Sequence, residues 1–217
     1  MAEFSNIYLV WREGAGHGRE IVGTIERSTD GRVLFSYQPN VGELAKKGFR
    51  PYLEFPDLHR TYNGNVIDIF GQRLTKADRP DISRIYEFWE VDPKQVDDKF
   101  YLLGKTQGLV PTDNFEFLAE YNMVPGVHFL TEIAGLSKTK IQKGQVVNSD
   151  LLTFELEPTN EFDSYAVKVF KDNLQIGYIK KVHSRIFYHK EATKLKLEVK
   201  ALEQNGTIKR IFVKVFA

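Results

Sequence analysis

The most informative part of the sequence reads Leu156-Glu-Pro-Thr-Asn-Glu-Phe-Asp-Ser-Tyr-Ala-Val-Lys-Val-Phe170, and it continues four residues later with Gln175-Ile-Gly-Tyr-Ile-Lys-Lys181. The first part opens with a polar turn rich in the residue types that reverse a chain. The alternating apolar residues after it predict a half-buried strand, and the second part predicts its antiparallel partner. Gly177 lies inside this second strand, which indicates a bulge or a close approach of two backbones.

Composition excludes several kinds of site. The 217 residues include no cysteine, which excludes disulfides, thiolate zinc sites and cysteine nucleophiles. The first residues lack the basic and apolar regions of a signal peptide, and no apolar run approaches the ~20 residues of a membrane span. The five histidines lack metal-ligand spacing, and no carboxylate stands out as a catalytic acid or base. We therefore expect a cytoplasmic protein that is not an enzyme, binds no cofactor or metal ion and does not associate with a membrane.

Positive charge is concentrated near the C-terminus. The whole chain has a net charge of +1, whereas residues 168–217 contain twelve basic and four acidic residues, a net charge of +8. A basic segment on a near-neutral chain indicates a surface for nucleic acid. The alternative is an ordinary solvated strand surface.

Two glycine motifs are poor matches to phosphate-binding loops. Gly14-Ala-Gly-His-Gly18 is followed by a strand pattern instead of a helix, so it predicts a hairpin loop. Gly104-Lys-Thr106 is similar to the end of a P-loop, but Lys99 stands where that motif requires its first glycine. Neither motif predicts a nucleotide site.

The N-terminal region mixes strands with helices. Strands are predicted over 7–11, 20–27 and 33–37, with an Asp-Gly turn before the third. A helix is predicted over 81–91, because four apolar residues share one helical face: Ile82, Ile85, Tyr86 and Trp89. A second short helix is predicted over 114–121, with Asp113 as its N-cap and Glu116 completing a capping box.

The sequence Asn122-Met-Val-Pro-Gly126 predicts a domain boundary, because it carries a Pro-Gly breaker and precedes a region dominated by strands. The expected domains are residues 1–122 and 123–217. Strands of the second are predicted over 128–135, 145–157, 165–170, 175–179, 195–201 and 208–216, with one helix that turns Val182, Ile186 and Phe187 inward. The fold class is α+β, mainly β.

The hairpin segment resembles the HIRAN domain, a small OB/SH3-like β-barrel module that binds DNA. In that family, rings stack on the terminal bases of a single strand, and an acid accepts a hydrogen bond from its 3′-hydroxyl. The resemblance implies that Phe162 supplies a ring, Asp163 the acid, Tyr178 the second-strand position and Lys181 a contact to a phosphate. Its neighbour Lys180, displayed around the same hairpin, is a further candidate residue for nucleic-acid binding. The alternative for both rings is packing in the core or at a strand edge.

The loop after the first strand departs from the family pattern. DNA-binding members can carry a basic and an aromatic group there, whereas residues 136–140 offer two lysines, Lys138 and Lys140, and no ring. General binding of single strands is therefore the more secure expectation, and capture of a 3′ end the sharper one.

The N-terminal region is similar to the N-terminal subdomain of HipA-like toxin kinases. The resemblance spans about residues 7–110 and is carried by Val22-Gly-Thr-Ile-Glu-Arg27, Phe35-Ser-Tyr37, Pro51-Tyr-Leu-Glu-Phe-Pro56 and Ile67-Asp-Ile-Phe-Gly-Gln-Arg-Leu74. The kinase core does not follow, so the resemblance implies no kinase activity.

The leading hypothesis is therefore binding of single-stranded DNA or DNA 3′ ends. One alternative is an antitoxin-like role, in which the N-terminal unit binds and restrains a HipA-type kinase. Another is a targeting role for a helicase or nuclease partner.

Overall fold

The structure, a computed structural model, describes residues 2–14, 17–39, 41–110, 113–139 and 141–217. The chain divides into two compact units. One unit, the N-terminal unit, comprises Phe4–Glu120, and the other, the barrel unit, comprises Tyr121–Ala217 together with Ala2 and Glu3. That residues 1–122 and 123–217 are separately folding domains stays a prediction.

The N-terminal unit contains a four-stranded antiparallel sheet in the order β3-β2-β1-β4. Its elements are β1 (Asn6–Trp11), β2 (Glu20–Arg27), β3 (Val33–Tyr37), α1 (Val66–Gly71), α2 (Ile82–Phe88), α3 (Lys99–Thr106) and β4 (Phe115–Ala119), with 3-10 helices at Val41–Lys47 and Pro93–Gln95. Two residues of the predicted glycine-rich loop, 15 and 16, lie outside the described residues.

Aromatic rings fill much of the core of this unit. Phe35 of β3 is fully buried, and its ring centroid lies 5.1 Å from those of Phe55 and Phe70. The predicted strands β2 and β3 are confirmed at both ends. The helix predicted over 81–91 is also confirmed, although it is shorter, and its four apolar residues are half-buried.

The predicted helix over 114–121 is wrong, because these residues include strand β4. Asp113 does not cap a helix: its Oδ1 accepts hydrogen bonds from the Phe115 amide at 3.0 Å and from Arg73 at 2.8 Å. Glu116 is buried and pairs with Arg19 at 3.1 Å across the sheet. The Glu116 carboxylate, which would accept a backbone hydrogen bond in a capping box, therefore forms a long-range ion pair instead.

Six antiparallel strands of the barrel unit close into a barrel in the order β10-β5-β8-β7-β6-β9. They are β5 (His128–Ala134), β6 (Leu151–Glu157), β7 (Ala166–Lys171), β8 (Leu174–Ile179), β9 (Lys196–Asn205) and β10 (Thr207–Phe216), with 3-10 helices at Leu136–Lys138, His183–Tyr188 and Ala192–Lys194. The coarse part of the predicted fold class, mainly β, is confirmed, whereas the likeness of the N-terminal unit to a HipA subdomain stays a prediction.

The barrel core is formed by apolar side chains that alternate with polar ones along the strands. Leu197 and Val199 of β9 are buried between polar neighbours, and Val213 and Val215 of β10 face them in register. Each such side chain contributes about 1.5–3 kcal/mol through burial. The inward turn of Val182, Ile186 and Phe187 is confirmed, because all three are buried.

The predicted strand over 145–157 begins only at Leu151. The residues before it form a loop with its own side-chain hydrogen bonds. The Gln142 amide donates to Oε1 of Gln145 at 2.7 Å, and the Val147 amide donates to Oδ2 of Asp150 at 2.8 Å. Because Asp150 satisfies the Val147 amide, this amide needs no sheet partner, and backbone pairing with β9 begins only where the Ser149 amide donates to the Val199 carbonyl at 2.7 Å.

Barrel closure between β5 and β8 depends on Gly177. These strands pair at two positions, Ile133 with Ile179 and Ala134 with Tyr178. Gly177 has φ of +142°, and a methyl group on its Cα would lie 2.4 Å from the Ala134 carbonyl oxygen. The predicted close approach of two backbones is confirmed, and only glycine fits it.

Both ends of the described chain are attached to one short segment of the barrel unit, 122–127. Asn122 donates from its backbone amide to the Glu3 carbonyl at 2.7 Å and from its side chain to the Ala2 carbonyl at 3.1 Å. At the other end, the Ala217 amide donates to the Val127 carbonyl at 3.1 Å.

Candidate nucleic-acid interface

The turn between β6 and β7 is organised by Asn160. Its Oδ1 accepts hydrogen bonds from the backbone amides of Phe162 at 3.0 Å and Asp163 at 3.2 Å. Its Nδ2 donates to Glu157 at 2.7 Å, which fastens the turn to the end of β6. This local bonding fixes the backbone and directs the Phe162 side chain outward.

Phe162 is exposed over 77% of its surface. It is therefore not a core residue, and the exposed ring leaves area for a partner. The Nζ of Lys138 lies 5.5 Å from the centre of this ring, within the range of a cation–π contact. The 3-10 helix after β5, which follows Gly135 at φ +81°, places Lys138 there. The second predicted lysine of this loop, Lys140, lies outside the described residues.

Asp163 lies next to the exposed ring and is half-buried. Its Oδ1 accepts a hydrogen bond from the Tyr165 amide at 2.9 Å. Within the described part of the chain, Oδ2 accepts none. One carboxylate oxygen therefore positions the turn while the other retains its capacity to accept a hydrogen bond.

Tyr178 of β8 is half-buried and stands opposite Lys168 of β7 in register. It also approaches Gly135, because a methyl group there would lie 3.7 Å from Cδ2 of the Tyr178 ring. Hydrogen bonds from Lys168, Asn160 and Tyr178 lower the pKa of Glu157. This network links Tyr178 through Glu157 and Asn160 to the turn, and the structure thereby gathers four of the predicted residues. We call them the turn surface: Phe162, Asp163, Lys138 and Tyr178.

The two consecutive lysines after β8 differ in exposure. Lys180 is completely buried, and its Nζ lies 3.1 Å from a carboxylate oxygen of Glu132 on β5. Arg210 pairs with the same carboxylate at 2.9 Å. The predicted contact of Lys180 with nucleic acid is therefore wrong, because its charge is buried in an interior ion-pair network. Lys181 is half-buried.

Sequence reasoning missed three residues beside the turn: Tyr165, Arg185 and Tyr188. Tyr165 is the first residue of the strand predicted over 165–170, whereas in the structure it lies in the turn and β7 begins at Ala166. The other two lie on the 3-10 helix His183–Tyr188. Nothing in the local sequence indicates that this helix returns to the turn.

Other kinds of site are not found in the described ranges. No group of His, Asp or Glu residues there could hold a metal ion. In the same part of the chain, no helix has the length and apolar character needed to cross a bilayer.

The barrel unit is a closed six-stranded barrel that presents an exposed ring, a lysine and a carboxylate near one turn. Comparison with known proteins shows what this unit is similar to. Residues 127–201, about a third of the chain, match the family model of the HIRAN domain. The HIRAN domain is a DNA-binding module for single strands and 3′ ends.

A solved structure is also similar to part of the chain. It is the crystal structure of the HIRAN domain of human HLTF, which is 20% identical and has a TM-score of 0.34. The similarity covers 42% of this chain and 75% of that chain. No curated protein matches the chain.

Proposed function

We propose that the barrel unit binds single-stranded DNA through the turn surface. The main support for this proposal is the exposed Phe162 ring, which has a lysine ammonium 5.5 Å from its centre and a carboxylate on the next residue. These residues lie inside the segment that matches a DNA-binding domain. An exposed ring next to a cation suits a nucleotide, which offers a flat apolar base and a negative phosphate.

The two parts of a nucleotide have different partners in this proposal. A base stacks on Phe162, a contact that tolerates any sequence because every base has a π-face. Lys138 is exposed at the same ring and neutralises a nearby phosphate. Tyr178 contributes the edge of the surface, and Lys181 a further cation.

The finer proposal concerns the strand end. A free 3′-hydroxyl donates a hydrogen bond to Oδ2 of Asp163, while Oδ1 stays occupied by the Tyr165 amide. A 3′-phosphate instead brings negative charge against the same carboxylate. Asp163 therefore selects the hydroxyl end.

Salt dependence tests the general proposal. We expect the affinity of the full chain for a fluorescent single strand to fall with salt, with a slope of roughly −0.7 per neutralised phosphate in log affinity against log salt. Lys138→Gln and Lys181→Gln should each flatten the slope by less than one unit. Lys47→Gln, which removes an exposed lysine of the N-terminal unit, should leave it unchanged. Undetectable binding at low salt, to both DNA and RNA strands, contradicts the proposal.

End discrimination tests the role of Asp163. Fluorescence anisotropy should show tighter binding of a 3′-hydroxyl strand than of a 3′-phosphate strand, by about tenfold or more, because hydrogen bonds to charged groups contribute ~1.5–3 kcal/mol. Asp163→Asn keeps the acceptor for the Tyr165 amide and removes the charge, so it should level the two affinities. Asp172→Asn, at an exposed carboxylate in the β7–β8 turn, is the matched control. Equal affinities in the unaltered protein would exclude end selection and leave general strand binding intact.

The remaining hypotheses rest on sequence resemblance. Two predictions concern partners: the N-terminal unit restrains a HipA-type kinase, or the protein targets a helicase or nuclease. The cytoplasmic location and the lack of enzymatic activity also stay predictions. The family match covers residues 127–201 and so does not bear on the N-terminal unit.

A further inference from the structure

A second ring–cation cluster begins two residues after Asp163. Tyr165 is 44% exposed, and its ring meets that of Tyr188 edge to face, with centroids 5.2 Å apart and an interplanar angle of 78°. The guanidinium carbon of Arg185 lies 5.7 Å from the centre of the Tyr165 ring. We call these three residues the second ring cluster.

Hydrogen bonds and ring packing hold the second ring cluster in place. The Tyr188 hydroxyl donates a hydrogen bond to the Ala166 carbonyl at 2.9 Å, where β7 begins. Its neighbour Phe187 is buried and packs edge to face on Phe154, with centroids 4.9 Å apart. The Tyr165 backbone is fixed by its bond to Asp163. Rings that are ordered before binding lose little conformational entropy when a base stacks on them.

The cluster is close to the acid proposed for the strand end. The Ala166 amide donates to the Asp163 carbonyl at 3.0 Å, and the Ala166 carbonyl accepts the hydrogen bond of the Tyr188 hydroxyl, so one residue connects the cluster to Asp163. Burial raises the pKa of Tyr188, and the negative charges of Asp163 and Glu157 add to this rise. Along the chain, Asp163 stands between the rings of two ring–cation pairs: Phe162 with Lys138, and Tyr165 with Arg185.

We propose that the second ring cluster is a further stacking site, which binds the base and phosphate of an additional nucleotide of the same single strand. This inference rests on the proposed function of the turn surface. The three residue steps from Phe162 to Tyr165 span at most ~11 Å. One strand of B-form DNA rises about 3.4 Å along the helix axis per nucleotide, so a span of ~11 Å corresponds to about three nucleotides, and the two rings serve positions within that range.

The chemistry predicts a length dependence. A very short strand fills only the turn surface, whereas a longer one also reaches Tyr165 and Arg185. The unaltered full chain should therefore bind oligothymidylates with affinity that rises between two and about five nucleotides and then levels off.

Variants at Tyr165 separate the two sites. Tyr165→Ala should weaken binding of an eight-nucleotide oligothymidylate by about fivefold or more and leave the dinucleotide within about twofold. Tyr165→Phe retains the ring and should bind like the unaltered protein. Arg185→Gln should flatten the salt dependence for the long strand alone. Leu151→Ala removes an exposed apolar side chain at the far end of β6 and serves as the control.

The possible failures are distinguishable. If the unaltered protein binds no strand of any length, the proposed function fails and this inference fails with it. If it binds and Phe162→Ala weakens every length, while Tyr165→Ala changes none or changes all equally, the turn surface stands and the second stacking site is wrong. Near-ultraviolet circular dichroism of each variant confirms that the barrel unit has stayed folded.

Discussion

Gly177→Ala is expected to destabilise the barrel unit by about 3 kcal/mol or more. The new methyl group would lie 2.4 Å from the Ala134 carbonyl oxygen and 2.5 Å from Cγ2 of Ile133. Relief requires β5 and β8 to separate, and these strands pair at two positions in the described structure. The positive φ adds strain, because a side chain at +142° is disfavoured.

Gly206→Ala is the matched control for this substitution. Gly206 has φ of +72° in the turn between β9 and β10, and nothing lies within 4 Å of a methyl group there. It therefore costs only the backbone strain, about 1–2 kcal/mol. Both tryptophans, Trp11 and Trp89, belong to the N-terminal unit, so their fluorescence reports that unit alone. Amide hydrogen exchange over β5 and β8 reports the barrel. If both variants raise exchange there equally, the close approach does not control closure.

Phe162→Ala is expected to weaken single-strand binding by about 1–3 kcal/mol, or roughly 5- to 150-fold. The ring has 77% of its surface exposed, so its removal takes away a stacking surface with little effect on the core. Denaturant unfolding of the variant should consequently match that of the unaltered protein.

The control for this prediction is Leu53→Ala, because Leu53 is 92% exposed and belongs to the N-terminal unit. Fluorescence anisotropy at constant salt gives both affinities. Phe162→Trp enlarges the ring and should bind at least as tightly as phenylalanine does. Unaltered affinity in a folded Phe162→Ala variant would show that the strand binds elsewhere.

The parts of the structure that follow local rules could be predicted from the sequence. The strands β2 and β3 have the predicted bounds, since apolar alternation and an Asp-Gly turn specify a hairpin within a few residues. The polar turn before β7 is likewise local, because Asn160 bonds to amides only two and three residues away.

Long-range electrostatics could not be predicted in the same way. Lys180 can be buried because Glu132, far earlier in the chain, neutralises its charge. Glu116 lies in a strand instead of the predicted helix, and its carboxylate pairs with the distant Arg19. The charge of +8 counted for residues 168–217 overstates the basic surface for the same reason. Three acidic residues that precede this segment pair with basic residues inside it. Glu132 pairs with Arg210 and Lys180, Asp150 pairs with Lys171, and Glu157 pairs with Lys168.

The attachment of both chain ends to the segment 122–127 has a consequence for anything joined to this protein. Five residue steps span at most ~18 Å, so polypeptide extending from either end would leave the barrel unit from nearly the same place. A fused fluorescent protein or a surface tether would thus be attached near the same segment of the barrel unit, whichever terminus carried it. The two fusions should then report similar distances to a labelled strand by energy transfer.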